Sequence, residues 1–284
     1  MKFATFEHGG REQVGRIEAE YIYSIEAPSM LDLIARYDEL GSGLNMWRGG
    51  IVLSDVRLLA PIPRPQRNIF CVGKNYRDHA REFARSGYEA GAIKGAEVDD
   101  YPAMFTKPAS CVIGPGATVH THPSVTSSVD YEGELAVVIG LQGRDIPREA
   151  AMDHVWGYTI INDVTARDRQ KKHRQWFLGK ALDTFCPMGP WITTADEVTA
   201  NDLQLRTYIN GELRQDANTR DLIFDIPKLI ETLSAGMTLQ PGDVIATGTP
   251  AGVGLGFDPP RFLEPGDEVT VTISGLGTLS NLFD

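Results

Sequence analysis

Two glutamates placed two positions apart are the residues from which chemistry is most readily predicted. Glu132 and Glu134 stand in the largely apolar stretch 130–140. Alternate side chains of a β-strand project from the same face, so the two carboxylates would lie side by side. Like charges held that close require a cation, a shared proton or exposure to water. We expect a divalent metal; the alternative is an amphipathic strand with a polar outer face.

A third carboxylate, Asp163, follows the apolar run 156–161. At the end of a buried strand a short carboxylate can point into a cleft, where it would complete an all-oxygen set of ligands. Such a set suits Mg²⁺, Ca²⁺ or Mn²⁺ rather than zinc. The alternative is that Asp163 is the N-cap of the helix predicted after it.

His79 and Glu82 are spaced three residues apart in a predicted helix that ends near Arg85. They would lie on one helix face, where the carboxylate orients the imidazole and raises its basicity, as in a general base. A solvated helix face with mixed charges is the alternative. Residues 86–100 are rich in glycine and acids and predict a flap that closes over the site, or an ordinary surface insertion.

Two lysines are candidates for binding charged groups. Lys180 stands among apolar residues in the stretch 176–190, where an ammonium group is costly unless it has a partner. The alternative is a side chain that reaches solvent from an apolar surface. Lys107 is either a ligand of a substrate carboxylate or, as the sequence alone favours, a solvated strand end.

Arg167 and Gln170 would face together on the helix after Asp163, where they could bind a ligand, each other or solvent. Residues 248–254 form a glycine-rich loop after a predicted strand. Backbone N–H groups of such a loop can hold an anion, with the Thr249 hydroxyl assisting, although a tight structural turn has the same composition. The loop lacks the Gly-Lys-Ser/Thr of a nucleotide phosphate loop.

The elements that must position these residues are mostly strands. Residues 2–26 predict short strands, and a helix follows from Pro28 to about Leu40. Three prolines in 60–65 stiffen the chain and predict a domain boundary, with a small N-terminal domain over 1–62 and the catalytic domain over 63–284. An Asn210-Gly211 turn predicts a hairpin within 202–215.

Composition excludes several classes of protein. The chain has 284 residues, 42% of them hydrophobic and 23% charged, as in ordinary globular proteins. Its formal net charge of -11 argues against a nucleic-acid partner. Three scattered cysteines indicate neither a disulfide framework nor a zinc site. No signal peptide or membrane-spanning run is evident, so we expect a cytoplasmic protein with no membrane partner.

Taken in order, these motifs resemble the fumarylacetoacetate hydrolase family. The match is carried by residues 71–76 with His79 and Glu82, 130–140, 162–168, 178–180 and 242–250. The resemblance implies an α+β, β-rich fold, with a mixed β-roll catalytic domain after a small N-terminal α/β domain, and usually a homodimer.

The resemblance also implies roles for individual residues. The metal ligands would be Glu132, Glu134 and Asp163, holding Mg²⁺ or Mn²⁺, with Ca²⁺ able to take the site in crystals. The catalytic residues would be His79, Glu82 and Lys180. Arg167, Gln170 and Thr249 would contact the substrate or hold the loop around it. Lys107, a candidate from the reading of the residues alone, is added to these three as a substrate-binding residue.

From these roles we expect a hydrolase that cleaves a C–C bond in a 2,4-dioxo acid, giving a 2-oxo acid and a carboxylic acid in a catabolic pathway. The metal would act as a Lewis acid that stabilises the enolate. The alternatives are a decarboxylase of oxaloacetate-like acids, or a hydratase or isomerase of unsaturated 2-oxo acids. A structural protein that merely binds Ca²⁺ would leave His79, Glu82 and Lys180 unexplained.

Overall fold

The computed structural model describes residues 1–40, 49–87, 100–173 and 175–284. The strands are, in chain order, β1 (Lys2–His8), β2 (Arg11–Glu18), β3 (Tyr21–Ser24), β4 (Ile51–Val52), β5 (Arg57–Leu58), β6 (Ile69–Gly73), β7 (Ala103–Lys107), β8 (Val112–Ile113), β9 (Val129–Asp130), β10 (Gly133–Ile139), β11 (Val155–Asn162), β12 (Thr165–Ala166), β13 (Cys186–Thr194), β14 (Gln204–Ile209), β15 (Glu212–Asn218), β16 (Val244–Ala246), β17 (Glu268–Ile273) and β18 (Gly277–Leu282).

Helices are few and short. The α-helices are α1 (Met30–Ala35), α2 (Tyr37–Leu40), α3 (Arg77–Arg85), α4 (Arg167–Lys172), α5 (Phe177–Lys180) and α6 (Ile226–Ser234). Turns of 3-10 helix cover Leu53–Asp55, Ala109–Cys111, Arg148–His154, Ala195–Glu197, Thr219–Asp221 and Gly254–Gly256. The prediction of a single helix from Pro28 to Leu40 is wrong, because the helix is interrupted at Arg36, between α1 and α2.

The largest sheet in the described part of the chain has 12 strands, in the order β4-β3-β2-β1-β13-β11-β10-β16-β6-β7, with β5 beside β1 and β8 beside β13. Most neighbours are antiparallel, but β16 runs parallel to β6 and β13 parallel to β8. The expectation of a β-rich fold with a mixed sheet is therefore confirmed.

Strand β10 is buried on both faces. Leu135, Val137 and Ile139 pack into a core shared with the four-stranded sheet β15-β14-β17-β18. Ala136 and Val138 enter a second core on the other face of β10. The alternation of side chains along the strand is as predicted. The alternative of a polar outer face is wrong, since nothing on β10 faces water.

The N-terminal strands extend the large sheet. Strand β1 pairs with β13, where Phe3 lies opposite Ile192. In the proline-rich segment Pro61 and Ile62 are buried, and the Thr5 hydroxyl donates to the Pro61 carbonyl at 2.6 Å. The division into 1–62 and 63–284 stays a prediction.

Two local predictions have different outcomes. The hairpin of β14 and β15 turns at Asn210 and Gly211, whose φ angles of 51° and 81° suit this two-residue turn, as predicted. Of the predicted flap over 86–100, residues 88–99 lie outside the described residues.

Candidate active site

Three carboxylates meet where β10 begins and β11 ends. Backbone pairing sets Gly133 opposite Asn162, and the Asp163 N–H donates to the Glu132 carbonyl at 2.8 Å. Glu132, Glu134 and Asp163 are 5%, 1% and 0% exposed, and one oxygen atom from each lies within 4.8 Å of the others. Asp163 is not a helix N-cap, since α4 begins at Arg167.

Both candidate lysines lie beside Asp163. The Lys180 ammonium donates to Glu132 Oε2 and to Asp163 Oδ2, each at 2.7 Å. Lys107 Nζ lies 2.6 Å from Asp163 Oδ1 and donates to the Val164 carbonyl at 2.9 Å. Both lysines are buried. The solvated strand end favoured for Lys107 is therefore wrong, as is the solvent-reaching alternative for Lys180.

Arg167 joins Glu132 to a carboxylate to which the sequence assigned no role. Its Nη2 lies 2.7 Å from Glu132 Oε1, its Nε donates to Asp130 Oδ2 at 2.8 Å, and its Nη1 donates to Gln170 Oε1 at 3.2 Å. Asp130 is fully buried. The available signal was an acidic residue two positions before Glu132, at the start of the largely apolar stretch 130–140.

Burial and neighbouring charges act differently on the two glutamates. Burial works to raise the pKa of Glu132, but Lys180 and Arg167, with His79, lower it to about 2. Burial raises the pKa of Glu134 well above its usual range, and the charges of Asp163 and Glu132 raise it further. Glu134 thus lacks a sufficient positive neighbour. A hard divalent cation fits this set of three buried carboxylates, because it supplies the missing charge to oxygen ligands.

His79 and Glu82 form the expected pair on α3. His79 Nδ1 lies 3.0 Å from Glu82 Oε2, and Glu82 Oε1 accepts a hydrogen bond from the Gly252 N–H at 3.0 Å. Both side chains are largely buried, so the solvated helix face is wrong. With Nδ1 held by Glu82, Nε2 is the ring nitrogen left for a substrate.

The glycine-rich loop binds carboxylates of the protein itself. The Gly248 N–H donates to Glu134 Oε2 at 2.8 Å, and the Gly254 and Leu255 N–H groups donate to Asp130 at 2.6 and 3.1 Å. The Thr249 hydroxyl donates to the Gly133 carbonyl at 3.0 Å. The loop therefore holds anions, as predicted, but these anions are the carboxylates of Glu134 and Asp130. Thr249 also lines the cavity beside them, and its substrate contact stays a prediction.

An aromatic wall covers the carboxylates, and the sequence did not predict it. The Trp176 ring meets the Phe105 ring edge-to-face at a centroid distance of 5.4 Å, and the Phe83 ring at 6.1 Å. The cavity between this wall, His79 and the glutamates measures ≈ 20 Å³, which is room for about one water molecule. The signal was a tryptophan four positions before Lys180.

A family model named fumarylacetoacetate (FAA) hydrolase C-terminal matches residues 68–283. The chain belongs to the fumarylacetoacetate hydrolase family. It is 54% identical, over 245 residues, to an oxaloacetate tautomerase, YisK, of Bacillus subtilis; the match covers 86% of this chain and 76% of the relative.

Two solved structures of the family cover this chain completely. One is a fumarylacetoacetate hydrolase from the psychrophile Exiguobacterium antarcticum, with 44% identity, a TM-score of 0.85 and 99% of that chain covered. The other is a maleylpyruvate hydrolase from Sphingobium sp. SYK-6 in complex with manganese(II) and pyruvate, with 34% identity, a TM-score of 0.78 and 98% of that chain covered. Both likenesses confirm the expected fold.

Within the described ranges, every helix is too short or too polar to cross a bilayer.

Proposed function

We propose that this chain is a divalent-metal-dependent tautomerase that interconverts the enol and keto forms of a short 2-oxo diacid such as oxaloacetate. One observation carries the proposal: His79, which is paired with Glu82, lines the same small cavity as Glu132 and Glu134. A proton carrier and a cation site therefore share a space that excludes bulk water. The 54% identity to an oxaloacetate tautomerase supports the choice of reaction.

The proposed ligands of Mg²⁺ or Mn²⁺ are Glu132, Glu134 and Asp163. A cation held by these carboxylates would supply Lewis-acid chemistry, which stabilises negative charge on substrate oxygen atoms. The manganese and pyruvate in the related maleylpyruvate hydrolase support this assignment.

The chemistry moves a single proton. In net terms, ketonisation transfers one proton from the enol oxygen to C3, and the reverse reaction returns it to the oxygen. We assign the transfer at C3 to His79 Nε2, because Glu82 holds Nδ1. The exclusion of water from the cavity strengthens each electrostatic interaction there.

Lys180 and Arg167 keep one of the proposed ligands, Glu132, charged. Their contacts with Glu132 hold its pKa near 2, so that carboxylate is ionised at neutral pH. Gln170 buttresses Arg167 and also lines the cavity, where its amide can contact a substrate carboxylate.

The test is the rate of ketonisation of enol-oxaloacetate, followed by the loss of ultraviolet absorbance above the rate in buffer. Treatment with EDTA should abolish catalysis, and Mn²⁺ or Mg²⁺ should restore it. Glu134→Gln should be inactive, whereas Glu149→Gln, at an exposed position, should match the wild type. Catalysis that survives both EDTA and Glu134→Gln would overturn the proposal.

Hydrolysis of an acylpyruvate is the second candidate, because the His79–Glu82 pair could equally take a proton from water. The similarity to a fumarylacetoacetate hydrolase and a maleylpyruvate hydrolase favours it. Release of pyruvate from an acylpyruvate, measured with lactate dehydrogenase, would establish this activity. Release of pyruvate and carbon dioxide from oxaloacetate, surviving His79→Ala, would instead indicate a decarboxylase. The homodimer stays a prediction, which the molar mass measured by light scattering would check.

A further inference from the structure

Trp176 lines the cavity beside the glutamates. This residue is the N-cap of α5, and its carbonyl accepts a hydrogen bond from the Gly179 N–H at 2.9 Å. The same short helix carries Lys180, whose ammonium contacts Glu132 and Asp163. The indole therefore stands at a fixed place beside the charged part of the site.

Gly73 allows the indole to lie where it does. A Cβ atom added at Gly73 would be 2.1 Å from Trp176 Cζ3 and 2.6 Å from Cη2, closer than real Cβ contacts come. Gly73 has no positive φ, so its backbone would accept another residue. The ring alone requires a glycine at this position.

The other side of the indole is packed as well. Phe105 and Phe83 meet it edge-to-face, and Phe83 in turn packs on Val253 and Leu255 of the glycine-rich loop. The Lys180 ammonium lies 5.0 Å from the centre of the Phe105 ring. Any substrate must displace part of this wall, because the cavity has room for about one water molecule.

We propose that Trp176, packed on Gly73, is the specificity-determining residue that limits the substrate to short 2-oxo acids and excludes acylpyruvates with large acyl groups. The inference rests on the proposed function, since it assumes that the 2-oxo carboxylate binds at the three carboxylates. The indole then occupies the volume in which the far end of a longer substrate would lie.

The test compares wild type, Trp176→Leu and the control Phe177→Leu, all loaded with Mn²⁺. Phe177 is the adjacent aromatic residue, 43% exposed and outside the cavity lining. Substrates are oxaloacetate and a series of acylpyruvates of increasing acyl length. We expect Trp176→Leu to raise the ratio of kcat/KM for a long acylpyruvate to that for oxaloacetate by about tenfold or more, the scale on which pockets discriminate apolar groups. Phe177→Leu should leave the ratio unchanged.

A second pair of variants tests the contact itself. Gly73→Ala should lower kcat/KM for oxaloacetate by about tenfold, because the new methyl group displaces the indole into the cavity. The double variant Gly73→Ala/Trp176→Leu should have the activity of Trp176→Leu, because the effects of two residues in contact are not additive. Melting temperatures, read for every variant, separate this coupling from a loss of folded protein.

Three results would overturn the inference: a wild type that turns over long acylpyruvates as well as oxaloacetate, a folded Trp176→Leu with unchanged preference, or a double variant as impaired as Gly73→Ala. If the wild type acts on neither substrate class, the proposed function fails. The role of Trp176 is then tested separately, by measuring the affinity for 2-oxo acids by calorimetry. Trp176→Leu should then bind a long-chain 2-oxo acid more tightly than the wild type does, with pyruvate binding unchanged. Equal binding of the long acid by both proteins would overturn it.

Discussion

Asp130 and Arg167 form an ion pair that is almost wholly removed from solvent, with Arg167 Nε 2.8 Å from Asp130 Oδ2. The other carboxylate oxygen of Asp130 accepts the Gly254 N–H, and Arg167 Nη2 lies 2.7 Å from Glu132. This pair therefore connects the glycine-rich loop to a proposed metal ligand.

Replacing Asp130 with alanine should destabilise the protein strongly. The change leaves the Arg167 guanidinium buried with one carboxylate fewer and frees two backbone N–H groups of the loop. Loss of one partner of a buried pair costs about 3–5 kcal/mol in free energy of unfolding. Urea denaturation measures it. Glu12→Ala, which breaks an exposed pair with Arg64, is the control and should remain near wild type; equal effects of the two changes would contradict the prediction.

Lys107→Met should destabilise the metal-free protein more than the metal-loaded protein. The ammonium of Lys107 lies against the carboxylate of Asp163, and its removal leaves this carboxylate buried with one positive neighbour fewer. Loss of one partner of a buried ion pair lowers the free energy of unfolding by about 3–5 kcal/mol. Bound Mn²⁺ should offset most of the loss. Melting curves in EDTA and in Mn²⁺ provide the comparison, with the exposed Lys172→Met as control. An identical loss in both conditions would rule out electrostatic support of the metal site.

His79→Asn should reduce kcat for ketonisation by about 10²–10⁴, the usual contribution of a positioned acid–base group. Glu82→Gln should cause a smaller loss, because the imidazole stays in place but loses the carboxylate that orients it. Steady-state kinetics at saturating Mn²⁺ measures both. His8→Asn, at an exposed position in β1, serves as the control. An unchanged kcat in His79→Asn would remove this residue from the proton transfer.

Glu212 should make stability depend on pH in the acid range. Hydrogen bonds from Arg261 and Arg214 lower its pKa from 4.5 to about 2. A depressed carboxyl pKa stabilises the folded state above the unfolded pKa, and the stabilisation disappears as pH falls through the folded pKa. Glu212→Gln should therefore melt below the wild type at neutral pH, with the gap closing from about pH 4.5 towards pH 2.

This gap should also shrink in high salt, because the side chain is exposed. Differential scanning calorimetry over a pH series, with Glu264→Gln as the matched exposed control, measures it. A gap that stays constant with pH would assign the loss to packing instead of charge.

The sequence predicted the parts of the site that follow from local geometry. Strand alternation predicted that Glu132 and Glu134 lie together, as they do, although Glu132 stands just before β10 and not within it. Helical spacing predicted the contact of His79 with Glu82. These rules hold because successive residues of one element have fixed relative directions. The family resemblance supplied the common order of the motifs. The chemical roles assigned to these residues stay predictions.

Contacts between distant segments could not be predicted in this way. Lys107 is buried because Val164 and Asp163 lie over it, and both come from another strand–loop unit. The packing of Trp176 on Gly73 likewise depends on how β6 meets α5. No local pattern in the sequence encodes either approach.

The pairing of β1 with β13 also affects how the chain folds. Lys2 lies opposite Thr193, so β1 can pair with β2 at once but must wait for most of the chain before β13 exists. Sheets closed by such distant segments fold slowly, because the entropy of closing a long loop is lost before the contact forms. A protein shortened to residue 63 onward would also leave the β13 edge near Ile192 without β1, and an open edge of this kind pairs readily with other chains. Expression of residues 63–284 alone is therefore expected to give aggregates.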